Sequence, residues 1–370
     1  MSTAIESGDF SKRLASLDFM RGFIMVLLAL ESTGLYNVLF ENTAGTSLGT
    51  FFIQFHHHPW NGLRFWDLVQ PAFMFMAGVA MAFSVSRMKE KNISPSKRNI
   101  KIFKRCGWLF FWGVLNYAVR KNGLSFELWN VLTQLSFTIL IAYLIFEWNT
   151  MSQIIFSLLL LFITEALYRF TNIPGFDQPF TDQKNFGNYV DLILMNKING
   201  GGWVAINCIP TAVHTIAGAF AGKLLMSNAT NKVKTLLYWG LGCLIVGYVL
   251  DFMNITPIIK RIATSSFTIV SLGWCLLFLA TAYYLIDIKN HKKNLFFFQV
   301  VGMNSIFIYL FFEIVGDRWF NGYVGSITNG LMGIFHVPSF FQSIITCVCI
   351  FILEWYMCLF LYRKKIFFRL

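Results

Sequence analysis

His56-His57-His58-Pro59-Trp60-Asn61-Gly62-Leu63-Arg64-Phe65-Trp66-Asp67-Leu68-Val69-Gln70-Pro71 runs straight into Ala72-Phe73-Met74-Phe75-Met76-Ala77-Gly78, an apolar run of small and aromatic residues. The second half reads as a membrane helix. The first half sets three imidazoles, an Asn-Gly turn and a carboxylate at its threshold. Ionisable groups are costly there and tend to mark function, so chemistry is expected at this stretch.

Outward from it, the composition repeats the same theme. Of 370 residues, 56% are hydrophobic, 18% aromatic and only 13% charged, too little polar surface to cover a soluble core. Apolar runs of about 20 residues recur, the length that spans a bilayer. The expected fold is an all-α polytopic integral membrane helix bundle of about ten transmembrane helices, near 17–40, 65–87, 100–119, 126–147, 151–170, 203–226, 235–252, 263–286, 295–315 and 339–362. A polar segment 1–16 precedes a single transmembrane domain, 17–362, and a basic tail 363–370 follows. The first apolar run is longer than the core of a signal peptide and lacks a small-residue cleavage site after it, so it is expected to remain as a helix. No soluble domain is expected on either side of the bundle.

Sidedness follows from the basic residues. With the N-terminus inside, twenty of the thirty lysines and arginines fall on the cytoplasmic side, as the positive-inside rule requires. Both termini are then cytoplasmic and the His56 stretch faces the opposite side. This topology and anionic lipid headgroups account for most of the net charge of +12, although a basic cytoplasmic face also suits a phosphate-rich cofactor. Nucleic acid is excluded, since no soluble basic fold is present to carry it. The seven cysteines sit mostly within apolar runs, at no disulfide or metal spacing. The long connection 171–202, with turn formers Asn172, Pro174, Gly175, Pro179 and Gly187 and the run Asn199-Gly200-Gly201-Gly202, is expected to cap an outward-facing site.

Several polar residues interrupt the apolar runs. Asp18 and Arg21, at i and i+3, share one helix face; they fit either an ion pair that orients the helix or a cofactor mouth. Glu31 lies about 15 Å further along and should face a cavity or a partner. The three histidines resemble metal ligands, but adjacent side chains rarely converge and no Cys or acid stands at ligand spacing, so no metal is expected. A histidine beside a carboxylate is the usual way to make a base or nucleophile near neutral pH. Asp67 is a candidate for that carboxylate, or it is an acid placed in a first helical turn by the helix dipole. His214 stands alone on an apolar stretch and reads as a core histidine. Lys260, Thr264 and Ser266 in the connection 253–266 either bind an acceptor or cap the next helix. Asn304 falls near mid-membrane, as a functional amide or as packing glue, with Glu313 nine residues on.

Arg13-Leu14-Ala15-Ser16-Leu17-Asp18-Phe19-Met20-Arg21-Gly22, then His57 with Trp60-Asn61-Gly62-Leu63 and Asp67-Leu68-Val69-Gln70-Pro71, resembles the heparan-alpha-glucosaminide N-acetyltransferase family and its bacterial relatives. Further similar blocks are Ile209-Pro210 leading to Ala221-Gly222-Lys223, Pro257-x-x-Lys260-x-x-x-Thr264-x-Ser266-Phe267, and Gly302-Met303-Asn304-Ser305-Ile306 with Glu313. They are in family order across nearly the whole chain. The pattern differs at Ala263, where Trp is common, and at the second histidine, His58.

The resemblance implies transfer of an acetyl group from cytoplasmic acetyl-CoA to the amine of a glucosamine-type sugar or glycan on the far side of the membrane. His57 would be the catalytic histidine by its distance from Trp60, either attacking the thioester or taking the proton from the attacking amine. Asp67 would orient it, Asn304 would donate to the oxyanion and Glu313 would help deprotonate the acceptor. Asp18, Arg21 and Lys223 are expected at the cofactor mouth, and Trp60, Asn61, Lys260, Thr264 and Ser266 at the acceptor. The animal enzyme carries a luminal domain ahead of its bundle; a chain lacking one is expected in a bacterial inner membrane. A homodimer is compatible with such a bundle. The rival reading is an amino-sugar or small-solute transporter with a proton-coupled path of histidines and acids; a third is O-acylation of envelope glycans.

Overall fold

A computed structural model of the chain describes residues 14–118 and 124–368. Every regular element among them is helical, and one isolated antiparallel bridge joins Asn61 to Ile259. Most of the 1–16 segment, and the basic positions Lys12, Arg13, Arg120, Lys121 and Arg369 that entered the sidedness argument, lie outside the described residues.

In chain order the helices are α1 (Ala15–Ser32), α2 (Leu35–Thr43), α3 (Ser47–Phe52), α4 (Val69–Glu90), α5 (Pro95–Ala118), α6 (Val131–Leu144), α7 (Thr150–Phe170) and α8 (Phe186–Met195). There follow α9 (Cys208–Met226), α10 (Lys232–Phe252), α11 (Ser265–Ala282), α12 (Leu295–Met303), α13 (Ser305–Phe311), α14 (Asn321–Ile334) and α15 (Ser339–Arg363). A π-helical segment, Phe312–Phe320, joins α13 to α14. Several starts are fixed by asparagine caps: Asn130, Asn149 and Asn185 accept from the backbone N–H groups of Leu132, Ser152 and Asn188, satisfying donors that the first helical turn leaves orphaned.

Six helices are long and apolar enough to cross a membrane, or eight if each of two bent pairs counts as one span. These are eight of the ten expected segments. The other two fail for separate reasons. The first half of α5 carries Lys97, Arg98, Lys101, Lys104 and Arg105, while α6 has 14 residues and reaches only about 21 Å at ~1.5 Å per residue. The first and ninth segments were expected as single helices, and both are broken. α1 turns by 66° into α2 through Thr33 and Gly34, the latter with φ of +82°, and α12 turns by 72° at Asn304. The long connection 171–202 also differs from expectation, because it contains the ordered helix α8.

Burial sorts the spans into two layers. More than half of α4, α9 and α11 is buried, against less than a third of α7, α10 and α15, whose exposed side chains include Phe162, Tyr238, Trp239 and Phe360. Such a periphery suits hydrocarbon, where apolar burial drives nothing and close backbone approach has to hold helices together. The α4–α9 pair shows how. A β-carbon on Gly78 would stand 2.0 Å from the Thr215 carbonyl oxygen, and one on Gly218 would stand 2.0 Å from that of Phe75.

Gly218→Leu therefore forces α4 and α9 apart, an overpacking cost of about 1–3 kcal/mol or more, whereas Gly242→Leu on α10 meets open space. Thermal unfolding of the purified protein should fall clearly for the first and stay near wild type for the second.

Candidate functional site

The segment 57–67 is wound around one carboxylate. Asp67, 1% exposed, accepts through Oδ2 from the backbone N–H groups of Arg64 at 2.9 Å and His58 at 3.2 Å, and its Oδ1 lies 2.9 Å from His57 Nδ1. The Arg64 guanidinium closes the turn on the His57 carbonyl at 2.9 Å. Gly62 has φ of +143°, and a β-carbon there would stand 2.6 Å from His58 Nε2, so the turn lets His58 lie over a residue without a side chain.

A second loop delivers the cation. The Asn61–Ile259 bridge and the Gly62 N–H donated to the Ile258 carbonyl at 2.8 Å lock 57–67 onto 257–264. Lys260 Nζ then lies 3.1 Å from His57 Nδ1 and 3.7 Å from Asp67 Oδ1, over the face of Trp203 at 5.3 Å. The Thr264 and Ser266 hydroxyls both donate to the Pro257 carbonyl, at 2.7 and 2.8 Å, and Thr264 accepts from the Ile259 N–H. These two residues, expected at the acceptor, are buried and occupied in holding the loop that carries Lys260.

His57 Nδ1 has two neighbours and one role to fill. A carboxylate is the stronger acceptor, which assigns the Nδ1 proton to Asp67 and leaves Nε2 with a free lone pair. Burial and the adjacent Lys260 ammonium lower the His57 pKa to about 4, against the Asp67 hydrogen bond that raises it. The imidazole is thus neutral near pH 7. Burial likewise lowers Lys260 to about 8, with Asp67 opposing. The result is a neutral, oriented imidazole beside a cation, an arrangement suited to proton transfer next to a developing negative charge.

His57 and Lys260 face a cavity of about 260 Å³. Its walls are aromatic, with Trp66, Phe73, Trp129, Trp203 and Tyr309, and its polar groups are Gln70, Asn199 and Glu313. Glu313 accepts from the Asn116 side chain at 3.2 Å. Asn199, from the 171–202 connection, and Trp203, just after it, line the cavity. Arg261 donates to the Gly201 carbonyl, and Gly202, with φ of +77°, passes so close to Trp60 and Asp182 that no side chain fits.

The structure thus brings together His57, Asp67, Lys260 and Glu313. Trp60 and Asn61 stand just behind them: the Trp60 indole donates to the Phe180 carbonyl at 2.7 Å and Asn61 serves through its backbone. Asn304, expected as the oxyanion donor, does not line the cavity. It sits at the α12–α13 break, where its Oδ1 accepts from the Phe368 N–H at 3.2 Å. Asp18 and Arg21 pair at 3.8 Å, and Lys223 turns to the Phe146 carbonyl and ring, so the three expected mouth residues make separate contacts. The other histidines diverge. His56 Nε2 approaches the Tyr36 carbonyl at 3.4 Å, and His214 bridges the Thr211 carbonyl and the Ser271 hydroxyl. Among the described residues no group of three His, Cys, Asp or Glu side chains is arranged to hold a metal ion.

Trp129 and Trp203 were missed as site residues because an aromatic in an apolar chain carries no signal of its own. Asp191 was also missed. It accepts from the Trp129 indole at 2.9 Å and the Ala205 N–H at 2.9 Å, and a carboxylate in an otherwise uncharged ten-residue run was the sign available.

Removing one partner of a buried ion pair strands the other. Asp67→Ala should therefore destabilise the protein by roughly 3–5 kcal/mol in a denaturant or thermal series, and adding Lys260→Met should recover part of that loss. An unrecovered double variant would mean that Asp67 acts chiefly on the 57–67 turn.

No protein-family model matches the chain, and no curated protein matches it in sequence.

Proposed function

We propose that this protein is a transmembrane N-acetyltransferase, moving an acetyl group from cytoplasmic acetyl-CoA to the amine of a glucosamine-type sugar on the non-cytoplasmic side, with His57 as its base. The observation that carries this reading is the His57 imidazole, held by Asp67 at 2.9 Å and flanked by Lys260 at 3.1 Å, on the wall of an aromatic and polar cavity. The sequence resemblance supplies the substrates. Aromatic walls with a few convergent polar groups suit a sugar ring, which presents apolar faces and polar edges.

In this reading the acceptor nitrogen attacks the thioester carbonyl carbon while His57 Nε2 takes a proton from it. The Lys260 ammonium faces the oxygen on which negative charge collects. Collapse of the tetrahedral intermediate breaks the C–S bond, and His57 returns its proton to the departing thiolate. A covalent variant, with Nε2 itself acetylated first, uses the same groups and would release CoA before acceptor is added. Glu313, in the same cavity, holds the acceptor as its ammonium form and accepts its first proton. Asp18, Arg21 and Lys223 stay as proposed contacts for the coenzyme on the cytoplasmic side.

One observation favours a second reading. α1 and α12 pack against each other and both lead into breaks, at Thr33–Gly34 and at Asn304, and discontinuous helices are a mark of transporters. Sealed proteoliposomes separate the two. Labelled acetyl-CoA on one face and glucosamine on the other should yield N-acetylglucosamine with wild-type protein, and about 10²–10⁴-fold less with His57→Ala. Glucosamine uptake without acetyl-CoA would instead establish a transporter, and an ester product an O-acyltransferase.

The acid–base assignments also fix a pH profile. His57 has to be deprotonated and Lys260 protonated in the free protein, so kcat/KM should be level between about 4 and about 8. It should fall on the acid side as the imidazole charges and on the alkaline side as the ammonium loses its proton. Lys260→Met should abolish the alkaline limb and lower the plateau by about 10²–10³.

A further inference from the structure

Glu354, in the middle of α15, is 1% exposed, and neither of its carboxylate oxygens has a hydrogen-bond partner. It faces Gly316 of the π-helical segment. A β-carbon on Gly316 would stand 3.7 Å from Glu354 Oε1 and 3.6 Å from Asn321 Oδ1, and Asn321 Oδ1 is itself buried without a partner. Two orphan acceptors from different helices therefore flank one glycine. The Asn321 amide cannot turn to serve Glu354, because its Nδ2 already donates to the Ser32 carbonyl at 2.8 Å, beside the α1–α2 break.

A bare carboxylate in such surroundings has to be neutralised. Among the described residues no neighbouring cation does so. The titratable groups on the elements packed against α15 are Asp18, Arg21 and Glu31 on α1, Tyr36 and Glu41 on α2, Tyr323 on α14 and Glu313, Asp317 and Arg318 on the π-helical segment, and none hydrogen-bonds Glu354. On α15 itself Tyr356 lies two residues away and Cys358 one turn away. A bound metal cation would need about six oxygens. Glu354 and Asn321 offer three, and the nearby Ser32 and Thr33 carbonyls are already engaged by Asn321 and Cys347. A proton needs only one acceptor besides the carboxyl that carries it.

We propose that Glu354 is a buried protonation site: a carboxylic acid that donates its proton to Asn321 Oδ1 and so fastens α15 to the start of α14, where the segment Phe312–Phe320 ends. This inference is independent of the acetyl-transfer reading. Its consequence reaches the cavity, because Glu313 lies three residues before Gly316 on the same segment. Loss of the proton would set a carboxylate against the Asn321 carbonyl oxygen and loosen the wall that carries Glu313. π-helical turns are frequent where such adjustments occur.

Dicyclohexylcarbodiimide tests this on the full-length wild-type protein in nanodiscs. The acid O–H adds across one C=N bond, its oxygen to carbon and its proton to nitrogen, and an acyl shift leaves a stable N-acylurea without a second product. Peptide mass spectrometry at neutral pH should find the adduct on Glu354 and none on the exposed Glu41 or Glu90, with labelling lost as pH rises. Infrared spectra should in parallel show a carboxylic-acid carbonyl band that disappears in Glu354→Gln. Either signal assigned to Glu354 supports the site, and the labelling result does not depend on the variant folding. Absence of both, or labelling that sodium but not potassium prevents, would overturn it.

Discussion

A carboxylate with 1% exposure at the mouth of a helical bundle is stable only if charge and hydrogen bonds are brought to it, and Asp67 obtains both from two loops distant in sequence. Its Oδ2 takes two backbone N–H groups from the 57–67 turn, and its Oδ1 faces the His57 imidazole and the Lys260 ammonium. The first contact shapes the turn and the second draws the 257–264 loop onto it. Thr264, Ser266, Asn61 and Gly62 then serve that approach through hydrogen bonds to backbone groups. Histidine tautomer, lysine position and cavity wall all follow from neutralising one buried charge.

Burial sets the chemistry of the trio because it lowers both cationic partners of Asp67. It disfavours the imidazolium and the ammonium alike, against the opposing pull of Asp67 on each, and leaves Lys260 titrating near 8 and His57 near 4. Between those values a neutral base and a cation coexist within 3.1 Å. In water the same two states coexist between about 6.5 and about 10.4, so the buried site moves that window downward. The inner helices make the setting rigid. α4, which begins just after Asp67, is pressed against α9 through Gly78 and Gly218, so the carboxylate is fixed to the best-buried part of the bundle.

Much of this was legible in the residues. Three imidazoles, an Asn-Gly turn and a carboxylate at the threshold of an apolar helix already marked Asp67 as a candidate partner for a histidine. Lys260 was legible only as part of a resembling block; nothing local tells that a lysine two hundred residues away meets a histidine. Asn304 was misplaced because spacing along a supposed straight helix does not reveal a 72° break. The α5 and α6 segments do not meet the length and composition of a span, which apolar content in a window misses because it ignores where the charges fall and how long the helix runs. Thr264 and Ser266 have hydroxyls that look available to an acceptor in sequence, and only the Pro257 carbonyl shows where they are used.

The central claim is that His57 is neutral, with its proton on Nδ1 and Nε2 open to the cavity. Nitrogen-15 spectra of histidine-labelled protein, with His57 assigned by comparison to His57→Gln, report this directly. The account predicts a neutral ring at pH 7 with Nδ1 protonated and Nε2 bare, and loss of that tautomer preference in Asp67→Asn. A charged imidazolium at pH 7, or a proton resting on Nε2, would contradict it.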